Sequence, residues 1–198
     1  LKRYRIFFRK LQILLLPLKL NEMKRTPLFS LVTALLLFFV TTIQAQIKLP
    51  AIVSSNMVLQ RNTTIQIWGW ADPMEKVFLE ASWLKGTLNV ETDKDGNWRF
   101  EVNTTDSKDP QTIKITGRAS DIILENVLFG EVWLCSGQSN MQMPLAGYTG
   151  QPTFGALLAT AKSTNPNLRL FSVDRIGSKT PLKDVEKYTA WQQATPDN

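Results

Sequence analysis

The 198-residue sequence has no histidine and one cysteine, Cys135. No Cys/His cluster can therefore form, which excludes a zinc site of the usual kind. One cysteine permits no internal disulfide, and its place in the apolar run 132–135 predicts a small, buried and unreactive side chain. A serine nucleophile normally needs a histidine beside it to take its proton. Serine chemistry in this chain would therefore need a base from outside these residues.

The sequence also has no basic patch beyond its N-terminal leader. Residues 1–45 carry eight basic residues and one acidic residue, a net charge of +7. Residues 46–198 carry fifteen basic and sixteen acidic residues, a net charge of −1. The overall charge of +6 thus belongs to the leader. We expect no nucleic-acid partner, because little is left to neutralise phosphates.

The leader has the pattern of an export signal, predicted over residues 23–45. Met23–Arg25 gives a start and a positive region, Leu28–Val40 an apolar stretch, and Ala45 a small residue before a cut ahead of Gln46. The stretch is shorter than the roughly 18–20 residues that cross a bilayer, so we expect cleavage, no stable membrane span, and a periplasmic, cell-surface or extracellular protein. A membrane-anchored scaffold with an uncleaved leader is the alternative. Residues 1–22 form an upstream extension without an assigned role, which we interpret as an over-extended reading frame.

Residues 47–127 read as an N-terminal β-sandwich domain. Ile65 and Ile67 alternate with Gln66 and Trp68, which is the period of a strand with one buried face. Short strands separated by turn residues at regular spacing are typical of a sandwich. The predicted strands are 64–70, 77–82, 87–92, 98–102, 112–116 and 122–127.

From Gly130 the pattern changes to the start of an α/β domain over residues 130–198, incomplete in this chain. A strand, a helix and a second strand follow one another, which is the order of an α/β unit. A polar tail ends the chain, with Trp191 as its expected anchor. The predicted segments are a buried strand at 131–135, a helix at 153–162, a strand at 168–173 and the tail at 183–198.

Ser139 is the candidate nucleophile, because it follows an apolar run at a turn of small and amide residues. Ligands bind at the carboxyl edge of open α/β sheets, where such a turn would lie. The Gly-x-Ser-x-Gly elbow is not met, since Met141 stands in place of the second glycine. A serine that caps a turn through its hydroxyl is the alternative at this point.

The segment GEVWLCSGQSNM, residues 130–141, resembles the first motif of the sialate O-acetylesterase family, esterases of the SGNH hydrolase type. We call this segment the serine block. The resemblance runs from about Leu49 to the last residue. Other similar pieces are NMVLQ (56–60), WGWADP (68–73), DGNW (95–98), NVL (126–128), PNLRLF (166–171) and Trp191.

The resemblance implies a three-layer α/β/α SGNH-type domain after the β domain, and acyl transfer through Ser139. The backbone N–H of Ser139 would be one oxyanion donor, with Gly137, Gln138 and Asn140 supporting the turn. The substrate would be O-acetylated sialic acid or a related acetylated glycan, with no metal or organic cofactor, and the oligomeric state stays open. The base and the other oxyanion donors would follow Asn198. The chain is therefore read as an N-terminal fragment, which we expect to be inactive alone.

Two further features carry alternatives. Trp68 and Trp70 share one strand face and are candidate sugar contacts, although paired aromatics on a strand face are more often core residues. Asp93 and Asp95 could suggest a calcium site, but one hairpin offers too few oxygens and a solvated turn is favoured. A second reading of the whole chain is a non-catalytic secreted β-sandwich module that binds glycans through its tryptophans.

Overall fold

The computed structural model describes residues 46–198. The predicted signal at 23–45 and the extension at 1–22 lie outside the described residues. Within residues 46–198 no helix has the length and apolar character needed to span a bilayer.

The described part of the chain is mostly sheet, with two short helices in its C-terminal half. In chain order the elements are β1 (Val58–Gln60), β2 (Thr64–Trp70), β3 (Lys76–Ala81), β4 (Leu88–Glu91), β5 (Asn97–Asn103), β6 (Gln111–Thr116), β7 (Asp121–Gly130), α1 (Ser139–Gln142), β8 (Gly147–Tyr148), β9 (Gln151–Pro152), α2 (Ala156–Ala161), β10 (Asn165–Val173) and β11 (Tyr188–Ala194).

All six strands predicted between residues 64 and 127 are confirmed as β2–β7. Their bounds differ from the prediction by one residue at most, except that β7 runs on to Gly130. The alternation of apolar and polar residues located them, because one face of each strand is buried. Strand β1 and the β8–β9 hairpin were not predicted, since each is too short to show a period.

Five of these strands form one sheet in the order β1-β7-β6-β3-β4. Strand β1 runs parallel to β7, and the other neighbours are antiparallel. Strands β2 and β5 form a separate antiparallel pair, in which Trp68 stands opposite Arg99 and Trp70 opposite Asn97. We call this pair the ribbon.

The five-stranded sheet and the ribbon contribute to a single hydrophobic core. Ile67 and Phe100 from the ribbon belong to the same buried cluster as Leu79 and Ile115 from the sheet. Burial of each such side chain contributes about 1.5–3 kcal/mol, so this shared core is the main stabilising term of the N-terminal half.

The buried strand predicted over residues 131–135 is wrong. Strand β7 ends at Gly130, and the residues after it pair with no strand in the described chain. Trp133 and Leu134 are 83% and 94% exposed, and Cys135 is an exposed free thiol rather than a buried one. An apolar run becomes a strand only where a neighbouring strand completes its hydrogen bonds.

The segments after the serine block follow the prediction in part. The helix expected at 153–162 is present as the shorter α2, in which Leu157 is exposed, and Phe154 before it is exposed as well. The strand at 168–173 is confirmed as part of β10, but its partner is the antiparallel β11, which lies in the predicted polar tail. Trp191 anchors that tail as expected, since its indole N–H donates to the carbonyl of Ile52 at 2.8 Å.

Candidate functional site

The serine block is tied to the sheet at its second residue, Glu131. Glu131 accepts hydrogen bonds from Gln60 Nε2 and Arg61 Nε, each at 2.8 Å. Gln60 Oε1 in turn accepts from the backbone N–H of Val132 at 2.9 Å. The bond from Gln60, and then that from Arg61, lowers the pKa of the Glu131 carboxyl. The ion pair is exposed and adds little stability, so its effect is to direct the chain as it leaves β7.

The turn before Ser139 depends on a glycine. A Cβ at Gly137 would lie 2.7 Å from Met141 Cγ, so a larger residue would displace that side chain. Helix α1 begins at Ser139, and the Gln138 carbonyl accepts from the N–H groups of Met141 at 3.0 Å and Gln142 at 3.3 Å. The sequence thus brings Ser139 to the first position of a one-turn helix on the surface.

Ser139 is exposed, and its hydroxyl bonds to no other residue within the described range. The backbone N–H groups of Ser139 and Asn140 likewise donate to no acceptor within residues 46–198, as is usual in the first turn of a helix. The side chain of Gln138 does not cap the helix. The supporting roles of Gly137, Gln138 and Asn140 in catalysis stay predictions.

Three pieces of the resemblance meet at a polar cluster that the sequence reading did not identify. Asn126 Nδ2 donates to Asn56 Oδ1 at 2.6 Å, and Arg169 Nη2 reaches Asn126 Oδ1 at 3.4 Å. Both asparagines have left-handed backbones, with φ of 56° and 67°, which asparagine tolerates better than most residues. The cluster joins β10 to the sheet.

Arg169 in this cluster is only 8% exposed. Its Nε and Nη1 have no hydrogen-bond partner in the described part of the chain. Burial lowers the pKa of its guanidinium. The shared appearance of Asn56, Asn126 and Arg169 in the quoted motifs was the available signal for this cluster.

Trp68 and Trp70 lie on the outer face of the ribbon. Trp68 is 38% exposed, whereas its neighbours Ile67 and Gly69 are buried. The core alternative for Trp68 is therefore wrong, because the strand period turns Ile67 inward. The Lys48 ammonium lies 5.8 Å from the centre of the Trp70 ring, within the range of a cation–π contact.

The acidic pair forms the turn that was favoured over a calcium site. Asp93 Oδ1 accepts from the backbone N–H groups of Asp95 at 2.9 Å and Asn97 at 2.8 Å. The side-chain bond from Asn97, above all, lowers the pKa of Asp93. Among residues 46–198 no group of three His, Cys, Asp or Glu side chains is placed to hold a metal ion.

The fold is similar to that of a carbohydrate acetylesterase. The structure resembles that of a carbohydrate acetylesterase from Xanthomonas citri with a TM-score of 0.69 and 27% sequence identity. The match covers 77% of this chain and 33% of that one. No family model matches the sequence.

The similar proteins found by sequence share one name, sialate O-acetylesterase. The sialate O-acetylesterase of Mus musculus is 27% identical over 189 aligned positions, and the match covers 87% of this chain and 33% of that protein. That of Homo sapiens is 29% identical over 163 aligned positions, and the match covers 74% of this chain and 29% of that protein. The chain thus spans about a third of their length. The chain is similar to these sialate O-acetylesterases, and the resemblance drawn from the serine block is confirmed.

Proposed function

We propose that this chain is the N-terminal part of an exported serine esterase that removes O-acetyl groups from sialic acids or related acetylated glycans. The observation that carries the proposal is the serine block, with Ser139 exposed at the start of α1 after the Gly137 turn. The names of the relatives, which are esterases of sialate and carbohydrate acetyl groups, support the substrate class. The β domain would be a sandwich and residues 130–198 the start of an SGNH-type domain.

The proposed reaction is acyl transfer in two steps. Ser139 Oγ attacks the acetyl carbonyl while a base takes its proton, and the sugar hydroxyl leaves after it regains a proton. Water then attacks the acetyl-serine ester and releases acetate and free Ser139. The unpaired backbone N–H of Ser139 is a candidate donor to the oxyanion, a role worth about 3 kcal/mol per donor. The base is an imidazole from outside these 198 residues, which contain none.

The experiment is the release of acetate from 9-O-acetylated N-acetylneuraminic acid and from acetylated xylan. It compares the 198-residue chain with the longest polypeptide that the reading frame of the gene encodes. The chain alone is expected to be inactive, because a serine without a base stays protonated. The longer polypeptide is expected to be active. Ser139→Ala should lower its kcat at least about a thousandfold, whereas Ser136→Ala in the same block should change kcat by no more than a few fold.

Two results would refute this proposal. One is a reading frame that adds no histidine, since the serine would then have no base of the usual kind. The other is acetate release that persists unchanged in Ser139→Ala. Export is tested separately by the N-terminus of the mature protein, which should be Gln46; a retained leader would favour the membrane-anchored scaffold.

A further inference from the structure

The outer face of the ribbon displays aromatic surface that the core does not use. Trp68 is 38% exposed although the residues on either side of it are buried. Trp70, two residues further on, lies on the same face because strand side chains alternate. An indole presents a flat apolar surface with a polar edge, and it loses little conformational entropy when a ligand stacks on it.

Two cations flank these indoles. Arg99 stands directly opposite Trp68 in the ribbon, so both side chains leave the same face. Lys48 places its ammonium 5.8 Å from the centre of the Trp70 ring. Both basic residues are exposed and neither forms a salt bridge within residues 46–198. The acidic residue of this face, Glu101, stands two residues after Arg99 on β5, opposite Gln66 and on the side away from Trp70.

We infer that this face, made of Trp68, Trp70, Arg99 and Lys48, binds an acidic sugar of a glycan chain at a site separate from Ser139. The sugar ring stacks on Trp68, and its carboxylate is held by Arg99 and Lys48. Charge complementarity selects the occupant, because a neutral glycan would leave two desolvated cations without an acceptor. The choice of sialic acid as the acidic sugar rests on the proposed function.

A polyanion such as nucleic acid is a poorer fit to the same face. Residues 46–198 carry a net charge of −1, so there is no extended positive field to attract phosphates. Two indoles flanked by two cations are instead suited to a single sugar ring that carries one carboxylate. The surface would keep the protein on a sialylated glycan while another part of the chain works on its acetyl groups.

The test is binding of the predicted mature chain, which begins at Gln46 and lacks the basic leader, to immobilised sialylated mucin and to the same mucin after sialidase treatment, at low and high salt. The wild type is expected to bind the sialylated form and to lose most of its binding after sialidase treatment or in high salt. Trp68→Ala should weaken binding about tenfold or more, and Arg99→Gln several fold. The matched controls Phe154→Ala and Arg175→Gln change exposed residues outside the ribbon and should bind as the wild type does.

Circular dichroism of each variant checks that the fold is kept, which the outward position of Trp68 and Arg99 leads us to expect. Absence of wild-type binding, or equal binding by Trp68→Ala, would overturn the inference. Equal binding before and after sialidase treatment would overturn its acidic-sugar part. Binding to mucin involves no hydrolysis, so this test can fail while the acetate-release test succeeds, and the reverse.

Discussion

The buried carboxylate of Glu75 offers a sharp test of how the strands of the N-terminal half are held together. Glu75 is 2% exposed, and its two oxygens accept from different backbone N–H groups, those of Asp72 at 3.1 Å and Arg118. Its own N–H donates to Thr92 Oγ1 at 2.9 Å. The space for the carboxylate exists because Gly117 has no side chain, since a Cβ there would lie 2.6 Å from Glu75 Oε1.

The substitution Glu75→Gln keeps the shape and replaces one acceptor oxygen by a donor NH2. Whichever way the amide turns, one of the two backbone N–H groups loses its acceptor and faces a second donor. A hydrogen bond to a charged group contributes about 1.5–3 kcal/mol, and a buried donor without a partner costs about 1–3 kcal/mol. Because these terms overlap, we expect the free energy of unfolding to fall by about 2–4 kcal/mol.

Urea unfolding followed by tryptophan fluorescence and circular dichroism measures this loss. With an m-value of about 2 kcal/mol/M, the midpoint should move down by about 1–2 M. Glu101→Gln is the matched control, since Glu101 lies exposed on the outer face of the ribbon and should unfold as the wild type does. A loss for Glu75→Gln below about 0.5 kcal/mol, equal to that of the control, would refute the two-acceptor reasoning.

Two further predictions concern charged groups of the turn and of the polar cluster. The folded-state pKa of Asp93 is lowered, so its carboxylate stabilises the turn above the unfolded pKa of about 3.9, and this stability is lost as pH falls through the folded pKa. The difference in unfolding midpoint between wild type and Asp93→Ala should therefore shrink from pH 6 to pH 2. A constant difference would contradict this, and Asp95→Ala serves as the control. The substitution Arg169→Met removes a buried charge whose one hydrogen bond, to Asn126, is long. The free energy of unfolding, measured with urea, should therefore stay equal or rise by about 1 kcal/mol. A loss above about 2 kcal/mol would contradict this and would mean that Arg169 has a strong acceptor.

The strands of the N-terminal half could be predicted from the sequence because their signal is local. Ile65 and Ile67 face one way and Gln66 and Trp68 the other, and that alternation is printed in the chain itself. The same alternation also predicts that Trp68 lies on the outer face of the strand. General preferences for buried aromatics pointed to the core, but the register that buries Ile67 turns Trp68 outward.

The serine block could be located from the sequence but its surroundings could not. The run 132–135 has the composition of a buried strand, yet burial depends on a neighbouring strand that local sequence does not specify. The hydrogen bond from Gln60 to Glu131 joins residues 71 positions apart, and no periodicity encodes such a pair. Strand β11 was likewise missed, because its polar side chains are exposed and its pairing with β10 is antiparallel and irregular.

The segment 51–61 contacts the serine block and both C-terminal strands, β10 indirectly through Asn126. Within it, Asn56 accepts a hydrogen bond from Asn126, which in turn accepts one from Arg169 of β10. Gln60 accepts a hydrogen bond from the backbone N–H of Val132 at the start of the serine block. The carbonyl of Ile52 receives the Trp191 indole from β11. The C-terminal strands and the serine block therefore take their positions from the same short stretch beside β1. A change in this stretch should therefore disturb both the β10–β11 pair and residues 131–132, where the serine block leaves β7.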